Sequence, residues 1–161
     1  MDSQEYFELL KEIAAQGREC HMLITGNSMA PFLYHERDTV YFTKPPVRLK
    51  TGDIVFFQRK NGQFVMHRIR RIVRTQRQPE ECFEFYLVGD NQHEVEGPLK
   101  PEQIKGVLTA FIRRGKQRSV KNPIYILASR LWLFLRPVRP VLARTVAALK
   151  RPFHKQTEES I

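Results

Sequence analysis

Two cysteines in 161 residues, Cys20 and Cys82, cannot build a disulfide framework. Neither has a second cysteine or a paired histidine at ligand spacing, so no structural zinc is expected, and nothing else in the chain implies a cofactor. No apolar run is long enough to cross a bilayer: the best stretch, Ile124 to Leu135, is 12 residues long and is broken by Arg130. The opening Met1-Asp2-Ser3-Gln4-Glu5 is acidic and polar and fits neither a secretory signal nor a transit peptide, so residence on the cytoplasmic side is the expectation. Acid is the sharpest shortage. From Gln103 to Thr157 there are 13 lysines and arginines and not one aspartate or glutamate, whereas residues 1–102 hold 14 basic and 15 acidic side chains. All of the net charge of +10 thus belongs to the C-terminal third, where it points to an anionic partner, nucleic acid or membrane surface. With 42% apolar residues the chain can pack one core with an appendage, and it is too short to need two full domains.

What is present reads as mainly β. Ser3 to Gln16 places Tyr6, Leu9, Leu10 and Ile13 at helical spacing, with Asp2 and Glu5 at its start and Gly17 as its stop, which predicts a short amphipathic helix. Six strand signals follow, at Cys20–Thr25, Thr39–Thr43, Ile54–Gln58, Gln63–Val73, Cys82–Val88 and Gly106–Arg113, rich in Val, Ile, Phe and Tyr. Such a set predicts a small barrel or sandwich. Asn61-Gly62 predicts a two-residue turn joining two of the strands into one hairpin. On its second strand Val65, His67 and Ile69 share one face, and Met66, Arg68 and Arg70 the other. Beyond Gly115, residues 123–136 and 137–150 read as two helical pieces separated by Pro137 and Pro140. The pieces could form a helix hairpin packed on the barrel or a basic amphipathic segment in a membrane interface, with nucleic acid as a third reading.

Thr25-Gly26-Asn27-Ser28-Met29-Ala30-Pro31 follows a strand directly, and glycine beside a serine lets the backbone turn sharply and lets a substrate chain come close. Alone, a Gly-x-Ser loop is usually a turn. Here it is the first of four boxes in fixed order: Gly26 to Pro31, Leu49-Lys50-Thr51-Gly52-Asp53-Ile54-Val55, Val65-Met66-His67-Arg68-Ile69, and Val88-Gly89-Asp90-Asn91. The ordered set, over residues 22–112, resembles the superfamily of serine endopeptidases that holds the type I signal peptidases and the SOS-repressor peptidases. Most of its members place a lysine base where this chain has His67; the ER-type signal peptidases place histidine followed by arginine, and that branch is the one the chain resembles more.

The resemblance implies the small β barrel of that superfamily, and with the residue patterns above it divides the chain into a peptidase domain in residues 1–115, opening on the short N-terminal helix, and a basic, apolar helical tail in residues 116–161. It makes Ser28 the nucleophile, His67 its general base and Asp90 the acid behind the imidazole, with Asp38, Glu94 and Glu96 competing for the last role. His93 is a weaker candidate for the base, and His21, His35 and His154 read as surface residues. The backbone N–H of Ser28 is the natural oxyanion donor. Many signal peptidases add a hydroxyl two positions before the nucleophile; Gly26 stands there, leaving Asn27 or Thr25 as substitutes, and Gly26, Asn27 and Met29 as the residues flanking the substrate. Asp53 reads as part of a turn. A hydroxyl needs a base within hydrogen-bond reach, and an ordinary histidine can serve near neutrality, so activity is expected to rise through a pKa of about 6 to 7.5. The expected activity is endoproteolysis of an extended, signal- or leader-like peptide. A non-catalytic peptide- or membrane-binding module on the same fold is the alternative. Expected partners are a peptide or protein substrate and, through residues 116–155, the periphery of an anionic membrane at its inner face, with nucleic acid disfavoured; autoregulated repression is disfavoured as well, because some 20 residues before the Ser28 box cannot form a helix-turn-helix.

Overall fold

The computed structural model describes residues 12, 16–77 and 80–138. The helix expected over Ser3–Gln16 lies outside the described residues apart from its end, where the Gln16 amide donates to the Glu12 carbonyl (3.2 Å) and Gly17 takes a φ of 78°. The second helical piece of the tail also falls outside them from residue 139 onward.

The described chain is mainly β, an antiparallel sheet of eight strands with one α-helix. The strands are β1 (Cys20–Leu23), β2 (Asp38–Thr43), β3 (Ile54–Gln58), β4 (Phe64–Arg77), β5 (Glu80–Val88), β6 (Glu96–Leu99), β7 (Ile104–Arg113) and β8 (Lys116–Ser119). They pair in the order β1-β2-β7-β3-β4-β5-β6, and β8 adds to β7. All six expected strands are present, and β7 is the spine, paired with β2, β3 and β8 along its length.

The run Ile54-Val55-Phe56-Phe57 is buried at every position because its strand has an apolar layer on each side, as a near-continuous hydrophobic strand should. Ile54 and Phe56 join Met22, Ile24, Met29, Val40, Phe42 and Phe111 in one cluster, and Val55 and Phe57 join Ile69, Phe85, Leu87 and Ile104 in the other. The rings of Phe42, Phe56 and Phe64 stack in series, with centroids 5.6 and 5.8 Å apart. Alternation along β4 holds as expected at Val65 and Ile69, which pack with the second cluster, while Met66 packs with the first.

Three local features differ from the sequence reading. The β3–β4 hairpin is not a two-residue turn. Gln58 pairs with Phe64, leaving five residues in the loop. The Arg59 amide bonds the Gln63 carbonyl and the Gly62 amide the Arg59 carbonyl, and Gly62 takes a positive φ (85°) while Asn61 does not. The Asn61 side chain instead accepts the Gln63 amide at 3.1 Å. Two strands, β6 (Glu-Gly-Pro-Leu) and β8 (Lys-Gln-Arg-Ser), carry no alternation and exist through pairing to β5 and β7. Through β8 the sheet continues past Gly115, where the peptidase domain was expected to end.

The helix α1 (Pro123–Phe134) starts where the Asn122 side chain accepts the amides of Ile124 and Tyr125, with Pro123 in the first turn. One side of it packs on the sheet. Tyr125 meets Phe32 and Phe111 with ring centroids 5.5 and 5.6 Å apart, and Trp132 meets Phe32 at 6.2 Å. The Trp132 indole donates to the Asp90 carbonyl at 2.9 Å, and the Arg136 guanidinium donates to the His93 carbonyl.

Candidate active site

Ser28 lies in the connection between β1 and β2, which buried groups hold in shape. Met29 and Leu33 sink into the first apolar cluster, and their backbones close tight turns from Asn27 to Ala30 and from Met29 to Phe32 and Leu33. Behind them the Asp38 carboxylate, fully buried, accepts from Arg37, Arg113 and the Tyr34 amide. Burial alone would raise the Asp38 pKa, but these donors hold it below the usual carboxylate range. Asp38 is thus an anchor of the loop. Gly26 takes a φ of 86°, open to glycine at little cost, and its amide donates to Nδ1 of His35 at 3.0 Å. His35, exposed as expected, therefore also clips the loop.

The Ser28 side chain is half-buried, and neither its hydroxyl nor its amide is bonded to another described group. Its carbonyl accepts the Asn91 amide at 2.8 Å. A Cβ on Gly89 would come 2.8 Å from that carbonyl and 2.7 Å from Oε1 of Gln92. Glycine at 89 is what lets the Gly89-Asp90-Asn91 turn press against the serine, which gives the first and last boxes a shared physical cause.

Ser28 and His67 line one cavity of about 270 Å³. Its walls include Met22, Ile24, Met29, Val40, Phe56 and Phe64, with Arg59, Gln63 and Gln92 as polar lining. His67 is 1% exposed, and neither of its ring nitrogens has a hydrogen-bond partner among the described residues. Its Nδ1 is 3.2 Å from Oε1 of Glu96, within ion-pairing distance though off the line a hydrogen bond requires. Glu96 is gripped in turn by the Arg59 guanidinium, whose Nε donates to Oε2 at 2.7 Å and whose Nη2 donates to Oε1. These groups tune one another. The hydrogen bonds from Arg59 keep the Glu96 carboxyl below its ordinary pKa. Burial pushes His67 down to about 4, with Arg59 adding to the effect and Glu96 opposing it. At neutral pH the site therefore holds a neutral imidazole beside an ionised carboxylate.

Asp90 is elsewhere. Both its carboxylate oxygens accept from Arg68, at 2.8 and 2.7 Å, in a fully buried pair. Arg68 also donates to the Gly52 carbonyl at 2.9 Å and to the Tyr125 hydroxyl at 3.3 Å, and stacks over Phe32. His67 and Arg68 are neighbours on β4 and point to opposite sides, so the acid that binds one does not serve the other. The expectation that Asp90 stands behind the imidazole is corrected: the carboxylate beside His67 is that of Glu96.

Of the remaining candidates, Gly26, Met29 and Thr25 line the cavity. Asn27 does not, and its side-chain oxygen accepts the His35 amide at 3.4 Å. Asp53 accepts the Lys50 amide at 2.8 Å within the turn before β3, the structural role expected of it. Glu94 and His93 are exposed and line no part of the cavity. Arg59 was missed because its partner lies 37 residues away on a strand with no strand pattern. Comparison of the chain with protein-family models and with curated proteins gives no match.

Proposed function

We propose that this chain is a serine endopeptidase of the signal-peptidase-like kind, on the superfamily's β barrel, with Ser28 as nucleophile, His67 as general base and Glu96 as the carboxylate that serves the imidazole. The observation that carries the reading is His67 itself. A buried polar nitrogen without a partner costs about 1–3 kcal/mol, and an unsatisfied group of that kind calls for an explanation such as a catalytic role. Here His67 lines the cavity that Ser28 also lines.

In this reading Nδ1, the nitrogen near Glu96, keeps its proton, leaving Nε2 to accept the Ser28 proton as the hydroxyl oxygen attacks the peptide carbonyl. The imidazolium then forms beside an ionised carboxylate, which stabilises it, and returns its proton to the leaving amine. The Ser28 amide is open to the developing oxyanion. Thr25 can add a second donor. Water hydrolyses the resulting acyl-enzyme, with His67 again as base. The Ser28–His67 hydrogen bond is not made in the free protein; such bonds commonly tighten once substrate fills the site. An extended peptide lying against the strands, with an apolar side chain in the Met22–Phe64 cavity, suits these walls.

The missing Ser28–His67 bond is also what favours the alternative, a binding module that retains the cavity without chemistry. A peptide-library digestion separates the two. Wild-type protein is expected to cut, and Ser28→Ala and His67→Ala each to lose about 10⁴-fold or more, with the double variant little worse than either. A His67→Ala protein that cuts like the wild type removes histidine as the base, and binding without cleavage by folded wild type leaves the binding module.

A further inference from the structure

A second, larger cavity of about 570 Å³ lies between the β2–β3 connection, β7 and α1. Its lining includes five cationic residues, Lys44, Arg48, Lys50, Lys121 and Arg130, and a single acid outside the buried Arg68–Asp90 pair, Asp53, whose carboxylate is taken up by the Lys50 amide. None of the five makes an ion pair with a described residue, and all are exposed. No residue lines both this cleft and the Ser28 cavity.

The helix that walls the cleft is apolar on its outer side as well. Ile124, Leu127, Leu131 and Phe134 are 78%, 71%, 54% and 79% exposed, and Val138 follows, still exposed. Their spacing of three and four residues sets them in one stripe along α1. Single exposed apolar residues are ordinary; a continuous row of large ones marks an interaction surface. Pro46 and Arg48 of the β2–β3 connection line the cleft, and Val47, between them in sequence, is fully exposed. Ile126, Ser129 and Arg130 of the same helix line the cleft, and Arg130, three residues from Leu127 and four from Phe134, adjoins the stripe on the helix surface. No acid occurs between Gln103 and Val138 to repel an anion there.

We propose that this face docks on an anionic phospholipid bilayer, the stripe of α1 and Val47 entering the boundary between headgroups and acyl chains while the cleft cations hold headgroup phosphates. The chemistry that selects this occupant is the pairing itself: a row of aliphatic and aromatic side chains flanked by unpaired lysine and arginine matches an acidic lipid surface, in which apolar insertion and electrostatic attraction act together. A helix 12 residues long that is held to the sheet by Tyr125 and Trp132 lies on such a surface and does not span it. The stripe and the cleft are separable from the basic residues after 138, which stay in place in the variants that test them.

The test is flotation of the full chain with vesicles of equal parts phosphatidylglycerol and phosphatidylcholine, against pure phosphatidylcholine, at low and high salt. Wild type is expected to float with the acidic vesicles alone and to be released by salt. Each basic residue at an acidic surface is worth about fivefold in binding, so the triple variant Lys44→Gln, Arg48→Gln, Arg130→Gln is expected to bind on the order of 100-fold more weakly. The stripe variant Leu127→Ser, Leu131→Ser is expected to lose binding at all salt concentrations. Both change exposed side chains, and thermal melts within a few degrees of wild type establish that they fold. The proposal fails if wild type ignores acidic vesicles at low salt, or if both variants bind as wild type does. It fails equally if sedimentation shows a dimer that the stripe variant dissolves while vesicle binding is unchanged, which assigns the stripe to a second copy, or if duplex DNA is bound tightly and acidic vesicles are not.

Discussion

The two carboxylates near β4 make opposite predictions although either could be drawn beside a histidine. Asp90 neutralises Arg68 in a fully buried pair, and Asp90→Asn leaves a buried guanidinium uncompensated, a loss of about 3–5 kcal/mol. Glu96 is partly exposed and faces His67 and Arg59, so Glu96→Gln is expected to keep the denaturation midpoint close to wild type while turnover falls about 10²–10⁴-fold. Urea melts alongside cleavage rates check both; a stable Asp90→Asn protein with the larger catalytic loss would restore Asp90 to the imidazole. The acid limb follows from the same neighbours. A base works in its neutral form, and burial pushes the His67 pKa down to about 4, so kcat/KM is expected to rise through a value well below the 6 to 7.5 of an ordinary histidine and to be flat across neutrality. Arg59→Gln removes one influence that lowers the pKa and leaves Glu96, which raises it, so the limb is expected to move to higher pH. A limb that stays put in Arg59→Gln contradicts the coupling. The placing of Ser28 and His67 on one cavity was legible because each sits in a contiguous box, and local sequence fixes a turn and the face of a strand. Glu96 could be told from Asp90 only after folding, since which acid reaches an imidazole depends on pairing between distant strands.

Legibility at the scale of elements follows the same division. Strands buried on a face carry the apolar pattern that announces them, and β3 carries it on both faces. β6 and β8 have no such pattern, because β6 is recruited by β5 and β8 hangs on the end of β7. The hairpin loop was legible as a turn but not as a type, since Asn-Gly serves both a two-residue turn and a five-residue loop in which only glycine needs a positive φ. The helix α1 was legible as a helix, while its partner surface was not. Tyr125 and Trp132 cover Phe32, the Arg68–Asp90 pair and the turn that presses on Ser28. Trp132→Ala is accordingly expected to destabilise the protein by about 2–4 kcal/mol, and truncation after Gly115 to abolish cooperative unfolding. Denaturant titrations read both; a truncated chain that melts as wild type does would make α1 an appendage.

For the whole molecule, the Ser28 cavity and the cationic cleft are separate surfaces with no lining residue in common. The Ser28 cavity is formed by the charge-balanced part of the chain, whereas the cationic cleft draws on both parts, Lys44, Arg48 and Lys50 coming from the first and Lys121, Arg130 and the stripe of α1 from the acid-free second. Among the described residues no helix is long and apolar enough to cross a membrane. Whether the cavity performs chemistry is the central claim, and reaction of the full chain with a fluorophosphonate, read by intact mass and by peptide mapping, tests it most directly. The account predicts one adduct, on Ser28, absent in Ser28→Ala and slowed at least 100-fold in His67→Ala. A folded wild-type protein that takes up no probe, or takes it up on another residue, or labels at Ser28 equally fast without His67, contradicts it.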